Sequence, residues 1–76
     1  MIINLERKPT VSLYYLGSII LQILRNNNNE PIDDLFLLTE ELLGEDLHID
    51  FYYYTLDWLY ILSLIKLTDG RVSLCV

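Results

Sequence analysis

His48 is the single histidine of the chain, and carboxylates flank it at Asp46 and Asp50. A histidine beside a carboxylate can do acid–base work, but it needs a nucleophile to act on, and none lies nearby in the sequence. A metal site needs at least three converging ligands, which no Cys or His spacing in this chain supplies. We therefore expect His48 to stand at a helix boundary rather than in a catalytic or metal site.

The other residues with chemical potential are a lone cysteine and three pairs of acids. Cys75 has no partner in the chain for a disulfide, which favours a reducing, cytoplasmic location, and no basic neighbour that would activate it. The acids of each pair are adjacent in sequence and do not share a helical face, as paired catalytic acids would. The glycines are isolated, so the sequence contains no phosphate-binding loop. The sequence predicts no active site, no metal and no cofactor. The acidic pairs are Asp33-Asp34, Glu40-Glu41 and Glu45-Asp46.

The charge distribution argues against two classes of partner. The net charge is −6, and nine acidic residues and no Lys or Arg lie between Asn26 and Ile65. Phosphate backbones are bound through clustered cations, so we expect no direct contact with nucleic acid. The longest uncharged run, Pro9 to Leu24, has 16 residues, which is short of the roughly 20 that a membrane span requires.

Helical periodicity predicts the elements that hold these residues. Helix one is expected from about Ser12 to Arg25, with Gly17 on its inner face, where another helix can approach closely. The polar tetrad at residues 26–29 ends it as a solvated loop. Its inner stripe is predicted to be Leu13, Leu16, Ile20 and Leu24.

Helix two is expected to follow a short extended segment at Pro31-Ile32. Asp33 or Asp34 would cap it, and Gly44 would stop it after Leu43. Its predicted inner stripe is Leu35, Leu38 and Leu42, with a second stripe at Phe36 and Leu43.

Helix three is expected from about Phe51 to Ser63, capped by Asp50, with Trp58 in the core. Asp69-Gly70 then predicts a two-residue turn between strands at residues 64–68 and 71–76. The order of elements predicts an α+β fold, a small winged helix, as one domain over residues 1–76 with residues 1–9 as an extended arm. The inner face of helix three is predicted to carry Phe51, Thr55, Trp58, Leu59 and Leu62.

The outward side of helix three combines aromatic residues with an acid. Tyr53, Asp57 and Tyr60 fall at i, i+4 and i+7, with Tyr54 and Ile61 alongside. Tyrosines can lie flat on a small core with wet hydroxyls, but they are also favoured anchors of protein interfaces. We expect a docking surface, and a chain found in a heteromeric complex or self-associating. Its predicted residues are Tyr53, Tyr54, Asp57, Tyr60, Ile61 and, on helix one, Tyr15.

Four stretches, MIIN, SLYYLGSIILQIL, LDWLYILSLIKL and GRVSLCV, together resemble a known family. The chain is similar to the small middle components of prokaryotic ABC-type three-component conflict systems, most closely middle component six. Ser63 departs from the pattern, since similar sequences tend to have glycine at the end of helix three, and it implies a less relaxed turn into the wing.

The resemblance implies a non-catalytic accessory subunit of an anti-phage or anti-plasmid machine. Such systems pair an ATPase of the Rad50 or structural-maintenance-of-chromosomes type with an effector, and the middle component would link or regulate the two. Two alternatives remain open. The fold alone supports a winged-helix DNA-binding regulator, and the acidity alone supports an inhibitor that mimics DNA.

Overall fold

The computed structural model describes residues 12–75, which form three helices and one antiparallel sheet of three strands. The predicted α+β order of helix, short strand, helix, helix and hairpin is confirmed. The predicted arm at residues 1–9 lies outside the described residues. The elements are α1 (Leu13–Asn26), β1 (Glu30–Pro31), α2 (Ile32–Leu43), α3 (Ile49–Ile61), β2 (Ile65–Thr68) and β3 (Arg71–Leu74).

The sheet has the order β1-β3-β2, so the last strand of the chain lies in the middle. Strands β2 and β3 form the predicted hairpin, in which Ile65 pairs with Leu74. Asp69 and Gly70 have φ angles of 55° and 72°, as a two-residue turn that matches the strand twist requires. Val72 points into the core, where it is fully buried.

The asparagine loop after α1 is more than the solvated connection that its composition predicts. Glu30 pairs with Val72, so the same register would set Asn28 opposite Leu74. There the Asn28 side chain takes the place of a strand carbonyl, and its Oδ1 accepts a hydrogen bond from the Leu74 backbone N–H at 2.8 Å. Asn29, at φ 67°, accepts two bonds from the Arg71 guanidinium, at 2.9 Å on its carbonyl and 3.2 Å on Oδ1.

Helix α1 supplies the largest share of the core. Ser12 caps it, at the start expected for helix one, because its Oγ accepts a hydrogen bond from the Tyr15 backbone N–H at 3.1 Å. A β-carbon on Gly17 would lie 3.0 Å from Trp58 Cζ3 and 3.4 Å from Leu59 Cδ2, so the predicted close approach at this glycine is confirmed. The buried residues of α1 are Leu16, Gly17, Ile19, Ile20, Ile23 and Leu24.

Two expectations for α2 are wrong. The helix begins at Ile32 after Pro31, without a side-chain cap, so Asp33 and Asp34 lie inside its first turn, where their charge favours the helix dipole. Thr39 is buried in place of Leu42, which is exposed. The Thr39 hydroxyl donates to the Leu35 carbonyl at 2.7 Å, and this bond satisfies the polar group inside the core. Gly44 ends the helix in the left-handed conformation, as predicted.

Helix α3 begins earlier than expected, and the side of it that faces the core differs from the predicted one. His48 caps it, in place of Asp50, by accepting the Asp50 backbone N–H on Nδ1 at 3.1 Å, so the predicted boundary role of His48 is confirmed. Trp58 is half-buried rather than central, and Leu62 is exposed. Since α3 carries apolar residues all around, its sequence alone does not decide which side faces the core. Its buried residues are Tyr52, Thr55, Leu56 and Leu59.

Tyr52 holds α3 against α2 from the buried side. Its ring lies 5.1 Å from that of Phe36 between centroids, and its hydroxyl donates to the Ile32 carbonyl at 2.8 Å. Burial raises the pKa of the Tyr52 hydroxyl, and the neighbouring Tyr53 and Asp33 raise it further. The neutral phenol is therefore the form that the fold stabilises.

Candidate interaction surface on the third helix

One side of α3 is exposed along its whole length. At about 100° of rotation per residue, six exposed residues fall within a sector of roughly 120°. The sector alternates aromatic or aliphatic side chains with two aspartates. We call this the α3 outer face, and it comprises Asp50, Tyr53, Tyr54, Asp57, Tyr60 and Ile61.

Asp57 lies in the middle of the α3 outer face. The helix places Tyr53 and Tyr54 at i−4 and i−3 and Tyr60 and Ile61 at i+3 and i+4, which are the four positions nearest to it on the helix surface. All four are exposed. No Lys or Arg lies on α3, and within residues 12–75 no ion pair to Asp57 is formed. An unpaired carboxylate is thus surrounded by apolar surface.

The exposed apolar surface continues from α3 onto α1 through Trp58. The Tyr14 ring stands edge-on to the Trp58 indole, with centroids 5.2 Å apart and planes at 89°. Tyr14 is 75 % exposed, and Leu62, one turn beyond Trp58, is also exposed. Tyr14 and Trp58 were not expected in the surface. The sequence feature that could have indicated them is the spacing of Tyr14 and Gly17. Residues three apart share a side of a helix, so Tyr14 lies on the side of α1 that another helix approaches.

Tyr15 does not join this surface. It is exposed, but one residue after Tyr14 it points about 100° further round α1, to the side that carries Gln22. Gln22 lines an open groove of about 330 Å³ between α1 and α2, together with Asn26 and Leu42. The structure therefore brings five of the six predicted surface residues together and places Tyr15 apart from them.

His48 and Asp50, two of the residues considered for chemistry, lie side by side. His48 Nδ1 lies 4.0 Å from Asp50 Oδ2, and both side chains are largely exposed. Cys75 is a free, exposed cysteine just beyond β3. Within residues 12–75, no three His, Cys, Asp or Glu side chains converge as a metal site would require.

The chain matches a known protein family. The family described as ABC-three component (ABC-3C) system Middle Component 6 matches residues 3–75 of the 76. The chain belongs to this family. Its membership confirms the predicted resemblance and is consistent with an accessory role in a system of several components.

Neither the comparison with curated proteins nor the comparison with solved structures gives a match for this middle component. None of the helices within residues 12–75 has the length and apolar character to cross a membrane.

Proposed function

We propose that this middle component is a non-catalytic, cytoplasmic adaptor that binds a protein partner through the α3 outer face. In its three-component system it would link or regulate the ABC ATPase and the effector, in defence against phage or plasmids. Family membership supports the accessory role, and the surface of α3 supports the mode of action.

The observation that carries the proposal is that α3 is apolar on two opposite sides. One side is buried against α1 and the sheet, whereas Tyr54 and Ile61 on the other are 61 % and 76 % exposed. A helix that is apolar all round is normally covered all round, and contiguous exposed apolar patches mark interaction sites in soluble proteins. Tyrosine is enriched among the residues that dominate binding energy.

A DNA-binding role has less support. The third helix of a winged helix is the element that would enter a groove, and here its outer face carries Asp50 and Asp57 without a compensating cation. On the wing, the Arg71 guanidinium is occupied by Asn29. That leaves Lys66 as the wing residue able to meet a phosphate, whereas a useful footprint needs several.

Co-expression with the ATPase and effector subunits of the same system tests the adaptor role. We expect a complex that survives size-exclusion chromatography. Tyr54→Ala with Ile61→Ala should abolish it while the isolated variant keeps the wild-type melting temperature.

Leu37→Ala is a matched control, because Leu37 is 60 % exposed and belongs to α2 rather than to the α3 outer face. This variant should assemble normally. If Leu37→Ala or Tyr15→Ala abolishes the complex and the α3 variant does not, the partner binds a surface of α2 or α1 rather than the α3 outer face. Absence of any complex with either subunit would refute the adaptor role.

A further inference from the structure

We infer that the partner of the α3 outer face presents an arginine or lysine, set in an apolar surface, directly to the Asp57 carboxylate. The inference rests on the proposed adaptor function and goes beyond it by naming the chemistry of the occupant. It follows from where Asp57 lies among its four apolar neighbours.

A partner that covers the α3 outer face has to desolvate Asp57. Tyr53, Tyr54, Tyr60 and Ile61 occupy the four positions nearest to Asp57 on the helix surface, and all four are exposed, so a surface that contacts them also excludes water from Asp57. A buried, unpaired carboxylate is strongly unfavourable. No cation of residues 12–75 pairs with it, and the partner must therefore supply one.

The surrounding rings favour arginine over lysine for this role. A guanidinium can bind a carboxylate through two hydrogen bonds and stack on aromatic faces at the same time. Three of the four neighbours of Asp57 are tyrosines, which offer such faces. Arginine is also enriched at the centres of interfaces, where apolar contacts exclude water around it.

The same geometry disfavours a second copy of this chain as the occupant. Asp50 and Asp57 lie seven residues apart, about 10.5 Å along the axis, on one line of the helix. Two such helices facing each other bring the carboxylates of both copies into one interface, and α3 holds no Lys or Arg to neutralise them. Like charges opposed in an interface cost several kcal/mol, so the α3 outer face selects a different, cationic surface.

The test is the affinity of the chain for the co-expressed subunit that it binds, measured for substitutions at Asp57 with different chemistry. Asp57→Leu should weaken binding about 30-fold or more, because it leaves the partner's cation buried and unpaired. Asp57→Asn should weaken binding less, and Asp57→Lys more than either. Asp69→Asn on the hairpin turn makes the same change in net charge as Asp57→Leu or Asp57→Asn, but away from the face, and it should leave the dissociation rate unchanged.

The outcomes separate this inference from the adaptor role itself. If Tyr54→Ala and Ile61→Ala weaken binding but Asp57→Leu strengthens it, the partner binds the α3 outer face through an apolar surface. That outcome would overturn the inference that the partner presents a cation. If none of the three substitutions changes the affinity, the proposed surface fails. A homodimer that Tyr54→Ala dissociates would establish a second copy as the occupant and overturn the inference. A partner Arg→Asp substitution that restores binding to Asp57→Arg would identify the cation.

Discussion

Gly17 and Trp58 are in contact across the α1–α3 interface, where the missing side chain of the glycine makes room for the indole. A β-carbon on Gly17 would lie 3.0 Å from Trp58 Cζ3, closer than packed carbon atoms prefer. The indole also packs against the edge-on ring of Tyr14, which lies three residues before Gly17 on α1. The position of Trp58, and with it the surface beside the α3 outer face, depends on this glycine.

Gly17→Ala should therefore destabilise the protein by about 1 kcal/mol, although alanine is the better helix former. Overpacking against the indole costs about 1–3 kcal/mol, and alanine returns about 1 kcal/mol of helix propensity. In a Trp58→Phe background, the part of the indole that crowds Gly17 is absent. Gly17→Ala should then stabilise the protein by up to about 1 kcal/mol. Urea unfolding of the four variants measures this coupling, and a Gly17→Ala effect of the same sign in both backgrounds would contradict it.

Ser63→Gly should stabilise the fold by about 0.5–1 kcal/mol. Ser63 has φ 64°, a left-handed conformation that costs a residue with a β-carbon about 1–2 kcal/mol, part of which is offset because glycine is more flexible when unfolded. The conformation is imposed by two hydrogen bonds, from Ser63 N–H to the Tyr60 carbonyl and from Leu64 N–H to the Leu59 carbonyl, which together form the Schellman motif. A higher melting temperature for Ser63→Gly and a lower one for Ser63→Val would confirm it.

Tyr52 should make stability sensitive to alkaline pH. Burial raises the pKa of its hydroxyl above the ordinary value of 10.0, so its contribution is complete below that pH and declines as pH rises further, when the unfolded chain releases the proton first. Tyr52→Phe should lose about 1 kcal/mol at neutral pH with the bond to Ile32. It should also lose less stability than wild type between neutral pH and about pH 11. Tyr53→Phe, an exposed control, should match wild type at neutral pH, and parallel pH profiles for Tyr52→Phe and wild type would contradict the prediction.

Asn28→Ala should destabilise the sheet by about 1–2 kcal/mol, because the Leu74 N–H loses the acceptor that extends the ladder beyond β1. Asn27→Ala is the matched control in the same loop. Hydrogen exchange at the Leu74 amide should speed up in the Asn28 variant alone. Equal melting temperatures for both variants would show that the side-chain bond contributes nothing.

The isolated chain should bind duplex DNA only weakly at physiological salt. The acidic α3 outer face repels phosphates, and little counterion release is available to drive association. Fluorescence anisotropy with a labelled duplex measures this. Sub-micromolar binding that weakens steeply with salt would favour the DNA-binding regulator over the adaptor.

Local residue chemistry accounts for what was predictable. The Asp69-Gly70 turn, the Gly44 helix stop and the close approach at Gly17 each depend on the conformational freedom or small size of one or two residues. These preferences act over a few residues, so they are visible in the sequence. The exposure of Tyr53, Tyr54 and Tyr60 on α3 was predicted in the same way, from helical spacing.

The remaining features depend on contacts between segments that are far apart in the sequence. The apolar residues of α3 lie all around its axis, so many rotations of the helix would bury a similar apolar area. Its actual orientation follows from contacts with α1 and the sheet, which bury Tyr52 and leave Trp58 half-exposed. Asn28 gains its role from Leu74, 46 residues away, a distance at which no local pattern exists. The elements and their turns could be predicted because they depend on short-range preferences of the residues. Packing between distant segments decided which side of α3 stays open to a partner.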